Sequence, residues 1–379
     1  MTFRHICAMI NAYLESAVRL FGLPVGMEAF MDKKRIRDYG IVIGHGTPGP
    51  LNKITDVPGV LVGHETIVTD HNCTGVTVIV PPPKNVFRNK LTAASFVLNG
   101  FGKSLGLVQV DELGTLETPI ALTNTLNVGL VHDALVDYTV KVCREDGTPV
   151  RSLNPVVCEC NDGELNLICD RAVTKEHVYR AFEQACRDFA EGDVGAGKGM
   201  VCYGLKGGIG SASRLLTLNG RTYTIGVLVL ANHGRTREML IDGRHVGREI
   251  VGIDPAELDK GSIIQVLATD LPLSDRQLKR VLKRLSVGLI RTGSFLGHGS
   301  GDIMVGFSTA NVFTPEDPDV RSVQVLREGA IEAAFNMAAE CSEEAILNAL
   351  CMADTVTGPT GKTKYALTPY LRKLYEKNM

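Results

Sequence analysis

The sequence predicts an α+β fold in which helices pack outside antiparallel or mixed sheets. Two observations carry that expectation: short apolar runs punctuated by glycine and proline arrive in batches, and segments with helical periodicity arrive in pairs, without a regular strand-helix alternation. A chain of 379 residues with 44% hydrophobic content and 40 glycines has the apolar material for a large core and many tight turns. No internal repeat or low-complexity linker divides it, so a single domain is expected over residues 34–379, preceded by an extension over residues 1–33. The extension is apolar, but Arg4, Glu15 and Arg19 interrupt it well short of a membrane-spanning length, and it is assigned no role.

From Ile41 the runs IVIGHG, TPGPLNKITDVPGVLVGHE and GVTVIVPPP read as strands and turns, closed by Pro48, Pro58 and the prolines at 81–83. KLTAASFVLNGFGKSLGL follows, its small residues suited to close backbone approach, and TPIALTNTLNVGLVHDALVDYTVKVC reads as a strand running into a helix. Thr174 is placed to cap a helix over KEHVYRAFEQACRDFAEG, with Val178, Phe182, Ala185 and Phe189 as its buried stripe and Gly192 as its end. Strands return between Gly199 and Gly234, and SIIQVLATD continues them from Ser262. After Pro272 the spacing predicts the clearest helix, opened by a Ser274 and Gln277 capping box and carrying Leu278, Val281, Leu282 and Leu285 on one face. The last third holds the glycine-rich strand region RTGSFLGHGSGDIMVGFSTAN, then one helix over about residues 325–339 and another over residues 342–353.

A formal charge of -2 gives no general pull toward nucleic acid or an anionic membrane, and basic residues cluster only between Arg276 and Arg284. The ten cysteines contain no CxxC, which favours reduced thiols and a cytoplasmic setting. Nine histidines without HxxxH or HExxH disfavour a metal enzyme, and no cofactor is expected. The GxxxxGK spacing from Gly192 to Lys198 follows a helix and leads to Gly199 instead of a hydroxyl residue, so it is not read as a nucleotide site.

The pair Gly261-Ser262 is the most informative feature for chemistry. Ser262 stands at the first residue of a predicted strand, after a polar Asp259-Lys260 lead-in. Were the bond before it cut, Ser262 would carry a hydroxyl and a free α-amine, a nucleophile and its own base in one residue. In HGSGDI, Ser300 and Asp302 lie two apart and so share one face, within reach of a common site, although taken alone a polar strand start with an Asp cap is the better explanation. His298 lies in a glycine-flanked loop where a solvated histidine is expected. GKSLG matches the letters of a nucleophile elbow without a convincing strand-to-helix turn. Asn232 ends a strand, presenting its amide either to an oxyanion or simply to a turn. Glu159 and Asp162 in VVCECNDGELN suit a substrate ammonium or a plain turn.

Taken together, RIRDYGIVIGHGTPGPLNKITDVPGVLVGHET, NGFGKSLGLVQVDELGTLETPIALTNTLNVGLVHDA, VVCECNDGELN, VLVLANHG, KGSIIQVLATDLPLSDRQLKR, GHGSGDIMVGFSTAN and EEAILNAL resemble the β-peptidyl aminopeptidase family, which includes the L-aminopeptidase D-amidase/esterase enzymes. The resemblance runs in order from Arg35 to about Leu367. It implies a four-layer αββα sandwich, similar in shape to N-terminal nucleophile hydrolases but differently connected. It also implies a precursor that cuts itself between Gly261 and Ser262, giving 34–261, with any extension, and 262–379. By the same resemblance Ser262 is the nucleophile, Ser300 and Asp302 support it, Asn232 occupies the oxyanion position and Glu159 meets the substrate's free amino group. Asn161 stands in the substrate pocket where the family often has tyrosine, and Asp302 where glutamate is common; both departures bear on substrate preference. The implied substrate is a small peptide, amide or ester with a free amino terminus on a β-amino, D- or L-residue, and the implied assembly is a homo-oligomer of processed heterodimers. Two rivals stand beside this reading: an acyl transferase resembling ornithine acetyltransferase, whose nucleophile is usually threonine, and an unprocessed binding protein of the same fold.

Overall fold

The computed structural model describes residues 33–250 and 261–375. The chain divides into a unit Met1–Lys34 and a compact unit Arg35–Met379; the expected extension, apart from Lys33, and the Asp259-Lys260 lead-in lie outside the described residues. In chain order the strands are β1 (Leu61–Val68), β2 (Cys73–Val80), β3 (Lys90–Gly100), β4 (Thr115–Leu116), β5 (Ile120–Asn124), β6 (Val156–Cys160), β7 (Val201–Cys202), β8 (Leu205–Lys206), β9 (Gly208–Leu218), β10 (Arg221–Asn232), β11 (Ser262–Thr269), β12 (Gly301–Phe313), β13 (Val356–Thr357) and β14 (Thr363–Lys364). The helices are α1 (Leu107–Leu113), α2 (Val128–Glu145), α3 (Lys175–Glu183), α4 (Asp275–Arg291), α5 (Glu332–Cys351) and α6 (Thr368–Tyr375).

Two sheets organise the unit, one in the order β1-β2-β5-β6 and one in the order β4-β3-β12-β11-β10-β9, so the fold is mixed α+β. Local chemistry explains their turns. Asn219 and Gly220, both at positive φ, join β9 to β10 through the two-residue turn whose twist matches antiparallel strands. The parallel pairs, β5 with β6 and β11 with β12, are bridged by long connections containing α2 and α4, as parallel strands require.

Three buried clusters follow from the alternation of side chains along these strands. Ile263, Leu267 and Met304 of the larger sheet pack with Leu278, Val281, Leu282 and Leu285 of α4 and Ala338, Ala345 and Leu350 of α5. The opposite faces of the same strands, through Leu228, Leu230, Ile264, Val266 and Val305, meet Ile79, Leu122, Val156 and Cys158 of the smaller sheet. Val76, Val78, Ala121 and Val157 then meet Val131, Leu135, Val178 and Ala181 of α2 and α3.

Helix α4 starts where the capping box predicts, with the Gln277 N–H donating to Ser274 Oγ at 3.2 Å and the Ser274 N–H donating to Gln277 Oε1 at 3.2 Å. The helix expected to run to Gly192 instead ends at Glu183, because Cys186 turns to exchange backbone hydrogen bonds with Val62 at 3.0 and 3.1 Å. Phe189, expected on its stripe, joins the cluster between the sheets. The two helices expected over residues 325–339 and 342–353 are one, Glu332–Cys351, preceded only by a short 3-10 turn at Glu328–Ala330. Ser342 does not break it: its hydroxyl points inward, 2.8 Å from the Leu285 carbonyl and 2.7 Å from Gln265 Oε1.

Candidate active site

The ends of β10, β11 and β12 converge. Strand β11 lies between β12, its parallel neighbour, and β10, with Ser262 opposite Asn232 and Ile263 opposite Asp302. Ile264 and Val266 face the space between the sheets, and alternation turns Ser262 the same way. Ser262 is 6% exposed, and its Oγ accepts a hydrogen bond from the Gly301 N–H at 3.1 Å. Ser300 and Asp302, both buried, are joined by the Ser300 hydroxyl donating to Asp302 Oδ1 at 2.6 Å. Sequence reasoning put a Ser300 hydroxyl within reach of Ser262; the hydrogen bond on Ser262 Oγ comes instead from the intervening backbone amide.

Asn232 is held on both sides of its amide. Its Oδ1 accepts from the Val201 N–H at 2.8 Å, and its Nδ2 donates to the Asn161 carbonyl at 3.0 Å. One Nδ2 hydrogen is left by these two bonds. Asn161 itself is exposed, with its Oδ1 accepting from the Gly163 N–H at 2.9 Å. It therefore contributes to Asn232 through its backbone.

Gly261 is pressed against the end of β10. A Cβ built on it would lie 1.8 Å from the Asn232 carbonyl oxygen and 2.7 Å from His233 Cα. No side chain fits there without displacing backbone, so the residue before Ser262 is sterically required to be glycine.

Glu159 is the penultimate residue of β6, at 2% exposure. Its Oε1 accepts from the Lys103 N–H at 3.0 Å, and its Oε2 accepts a short hydrogen bond from the Thr125 hydroxyl. The segment after β3 ties this carboxylate to the strand ends, since a Cβ at Gly102 would stand 3.9 Å from Glu159 Oε1 and 3.7 Å from Gly301 Cα. Asp162 takes a structural position beside it: fully buried, it accepts from the Thr74 hydroxyl at 2.5 Å, Asn166 Nδ2 at 3.0 Å and Asn124 Nδ2 at 3.1 Å. Burial raises its carboxyl pKa against the opposing effect of those donors.

The remaining candidates fall elsewhere. His298 is exposed. GKSLG is flanked by β3 and α1 after all, but Leu105 pairs with Val157 as an isolated bridge and the helix begins only past Gly106, at φ 82. Lys198 is ion-paired with Asp193 at 2.7 Å. Among the described residues no group of His, Cys, Asp and Glu is arranged to hold a metal ion, and no helix is long and apolar enough to cross a membrane. Sequence reasoning missed the Gly301 and Lys103 N–H groups, which carry no side-chain signal, and Thr125, whose one clue is its position just after a strand.

Residues 52–364 match the family model described as Peptidase family S58. The chain is similar to the β-peptidyl aminopeptidase BapA of Sphingosinicella xenopeptidilytica, with 38% identity over 359 residues covering 88% of each chain. Among solved structures it is similar to a Burkholderia sp. β-aminopeptidase, at 40% identity and TM-score 0.84, covering 91% of this chain and 99% of that one. It is also similar to the L-aminopeptidase D-Ala-esterase/amidase of Ochrobactrum anthropi, described as a variant of the Ntn hydrolase fold, at 34% identity and TM-score 0.84 over 91% and 99% of the two chains. The matched span contains Glu159, Asn232, Ser262, Ser300 and Asp302, and the chain belongs to peptidase family S58.

Proposed function

We propose that this protein is a self-processing serine aminopeptidase that removes the N-terminal residue from small peptides, amides or esters through an acyl-enzyme on Ser262. The observation that carries the reading is the strand end itself: a serine whose Oγ meets the Gly301 amide at 3.1 Å, preceded by a glycine that alone fits against Asn232. The three buried clusters support reading the unit as helices, sheet, sheet, helices, the αββα arrangement.

In the precursor, Ser262 Oγ attacks the Gly261 carbonyl carbon as its proton passes to the departing nitrogen. The Gly261-Ser262 C–N bond breaks, leaving the Gly261 acyl group as an ester on Oγ and freeing the α-amine. Water then opens the ester to a Gly261 carboxylate and a free hydroxyl. An α-amine has an ordinary pKa of about 7.7–8.0, so a neutral fraction takes the Ser262 proton in each later turnover. Glu159, a buried carboxylate satisfied by neutral donors, receives the substrate ammonium. Ser262 attacks the substrate carbonyl, and the Asn232 hydrogen left by Asn161 holds the oxyanion together with backbone donors. The hydrogen-bonded Ser300 and Asp302 steady the new amine. The leaving amine takes the proton, and water releases the N-terminal residue as an acid.

Intact mass measurement tests this directly. Wild-type protein is expected as two polypeptides divided before Ser262, and Ser262→Ala as a single inactive chain of 40.9 kDa. A Ser262→Ala protein that still divides would remove Ser262 from the mechanism.

A further inference from the structure

Lys206 is completely buried, and its ammonium donates to the carbonyls of Gly197 at 3.0 Å, Met200 at 2.7 Å and Gly207 at 2.7 Å. The Gly207 N–H reinforces the same loop by donating to the Met200 carbonyl at 2.9 Å. Lys206 ends the β7 and β8 hairpin, whose turn is Tyr203-Gly204 at φ 52 and 75. Two N–H groups of that hairpin grip the end of β10: Tyr203 N–H donates to the His233 carbonyl at 2.7 Å, and Val201 N–H donates to Asn232 Oδ1 at 2.8 Å. A primary amide can present either its acceptor or its donors to a neighbouring site. With Oδ1 occupied by an N–H, Asn232 offers only hydrogen toward a developing negative charge.

We propose that Lys206 is a positioning residue for the reaction: its ammonium pins residues 197–201 so that the Val201 N–H fixes the Asn232 amide with its donor side toward the oxyanion. The proposal rests on reading Asn232 as an oxyanion donor. Lys206 touches no substrate and acts through backbone. The charge state matters because an ammonium supplies three hydrogens for three carbonyls and a neutral amine only two. Burial pushes Lys206 down to about 8, against the attraction of Asp193; Cys73 and Cys202 also face it, as does the like charge of Lys198. Loss of its proton therefore falls within a range that an assay can cover.

The test compares wild type, Lys206→Met and Asn232→Ala in self-cleavage, followed by intact mass, and in turnover of the p-nitroanilides of L-alanine and β-alanine across pH 6 to 10. Lys206→Met is expected to lower kcat and the self-cleavage rate about ten- to a hundredfold, the scale of a misplaced catalytic group, with KM within about twofold of wild type. The wild-type kcat is expected to rise as the α-amine loses its proton and to fall again above about pH 8 as Lys206 does; this basic limb is absent from Lys206→Met. If Asn232→Ala is slow while Lys206→Met keeps wild-type kcat, the brace is overturned and the oxyanion reading stands. If Asn232→Ala keeps wild-type kcat, the oxyanion reading falls and the brace with it. Should Lys206→Met fail to fold, the wild-type profile decides, since a kcat that stays flat to pH 10 overturns the proposal.

Discussion

Glu344 and Glu159 are both withdrawn from water, at 0% and 2% exposure, yet they are satisfied in opposite ways. Glu344, on the helix side of the larger sheet, receives Arg37 Nε and Arg214 Nη2 at 2.6 Å each and Asn52 Nδ2 at 2.5 Å. Arg214 continues to Glu340 at 2.9 Å, where the backbone N–H groups of His45 and Gly46 complete the network. Glu159 has only an amide and a hydroxyl, and among the described residues no ion pair joins it. A buried carboxylate is costly unless a cation or several donors answer its charge. The network answers that charge within the protein, where it serves architecture; at Glu159 no cation of the described residues does so, which is consistent with the substrate ammonium proposed there. The cavity of about 490 Å³ on the helix side, lined by Arg291 and Glu340 among others, belongs to the first kind, since both are already ion-paired.

The largest expected effect comes from breaking the paired network. Arg214→Met takes from Glu340 its ion-pair partner and from Glu344 one of its two cations, and is expected to cost about 3–5 kcal/mol of stability, read by denaturant unfolding. An unchanged unfolding midpoint would erase the distinction between the two carboxylates. Next, Glu159→Gln is expected to raise KM for substrates with a free amine about ten- to a hundredfold, the equivalent of losing a charged hydrogen bond of about 1.5–3 kcal/mol. Its self-cleavage and melting temperature should stay close to wild type; equal KM values would deny the ammonium role. The smallest effect is a pH dependence. For Glu344, burial opposes ionisation, but the hydrogen bonds and charges of Arg37 and Arg214 outweigh it and hold the carboxyl below its ordinary value. Its folded pKa being depressed, the stability it contributes is present above the unfolded value of about 4.3 and is lost as pH falls through the folded one. Thermal melts from pH 7 to pH 3 should therefore show a shallower acid decline for Glu344→Gln than for wild type.

The same contrast marks what the sequence makes legible. Strand batches and the Ser274 cap are local patterns and are read locally, whereas helices do not come in pairs: strands separate them, and the pair expected late in the chain is the single helix α5. The run Glu340, Ser342, Glu343 and Glu344 looks like a break between helices because its partners Arg214 and Gln265 lie far away in sequence; only the folded chain turns those polar side chains into a buried face. The overlong reading of α3 has a similar origin, since Phe189 keeps helical spacing while Cys186 has already turned to pair with Val62. Residue by residue, Ser262, Asn232, Glu159, Ser300 and Asp302 each allow an ordinary explanation, and it is the ordered family resemblance that groups them. Gly301, Lys103 and Val201 act through main-chain N–H groups, which no residue type announces. Lys206 becomes meaningful only once its three carbonyl partners are seen.

The order β4-β3-β12-β11-β10-β9 has a consequence for how such a molecule ages. A cut before Ser262 assigns β11 and β12, in the middle of the sheet, to one polypeptide and their neighbours on both sides to the other. Such a particle would keep its hydrogen-bonded ladders, because the two products would be woven through each other. Refolding, however, would change its kinetic order. An uncut chain folds in a first-order step, whereas separated products would have to meet again in a second-order, concentration-dependent one, each exposing unpaired strand edges in the meantime. The covalent link from Gly261 to Ser262 would thus hold the partner strands at one another's disposal during folding, an advantage a cut molecule would lack.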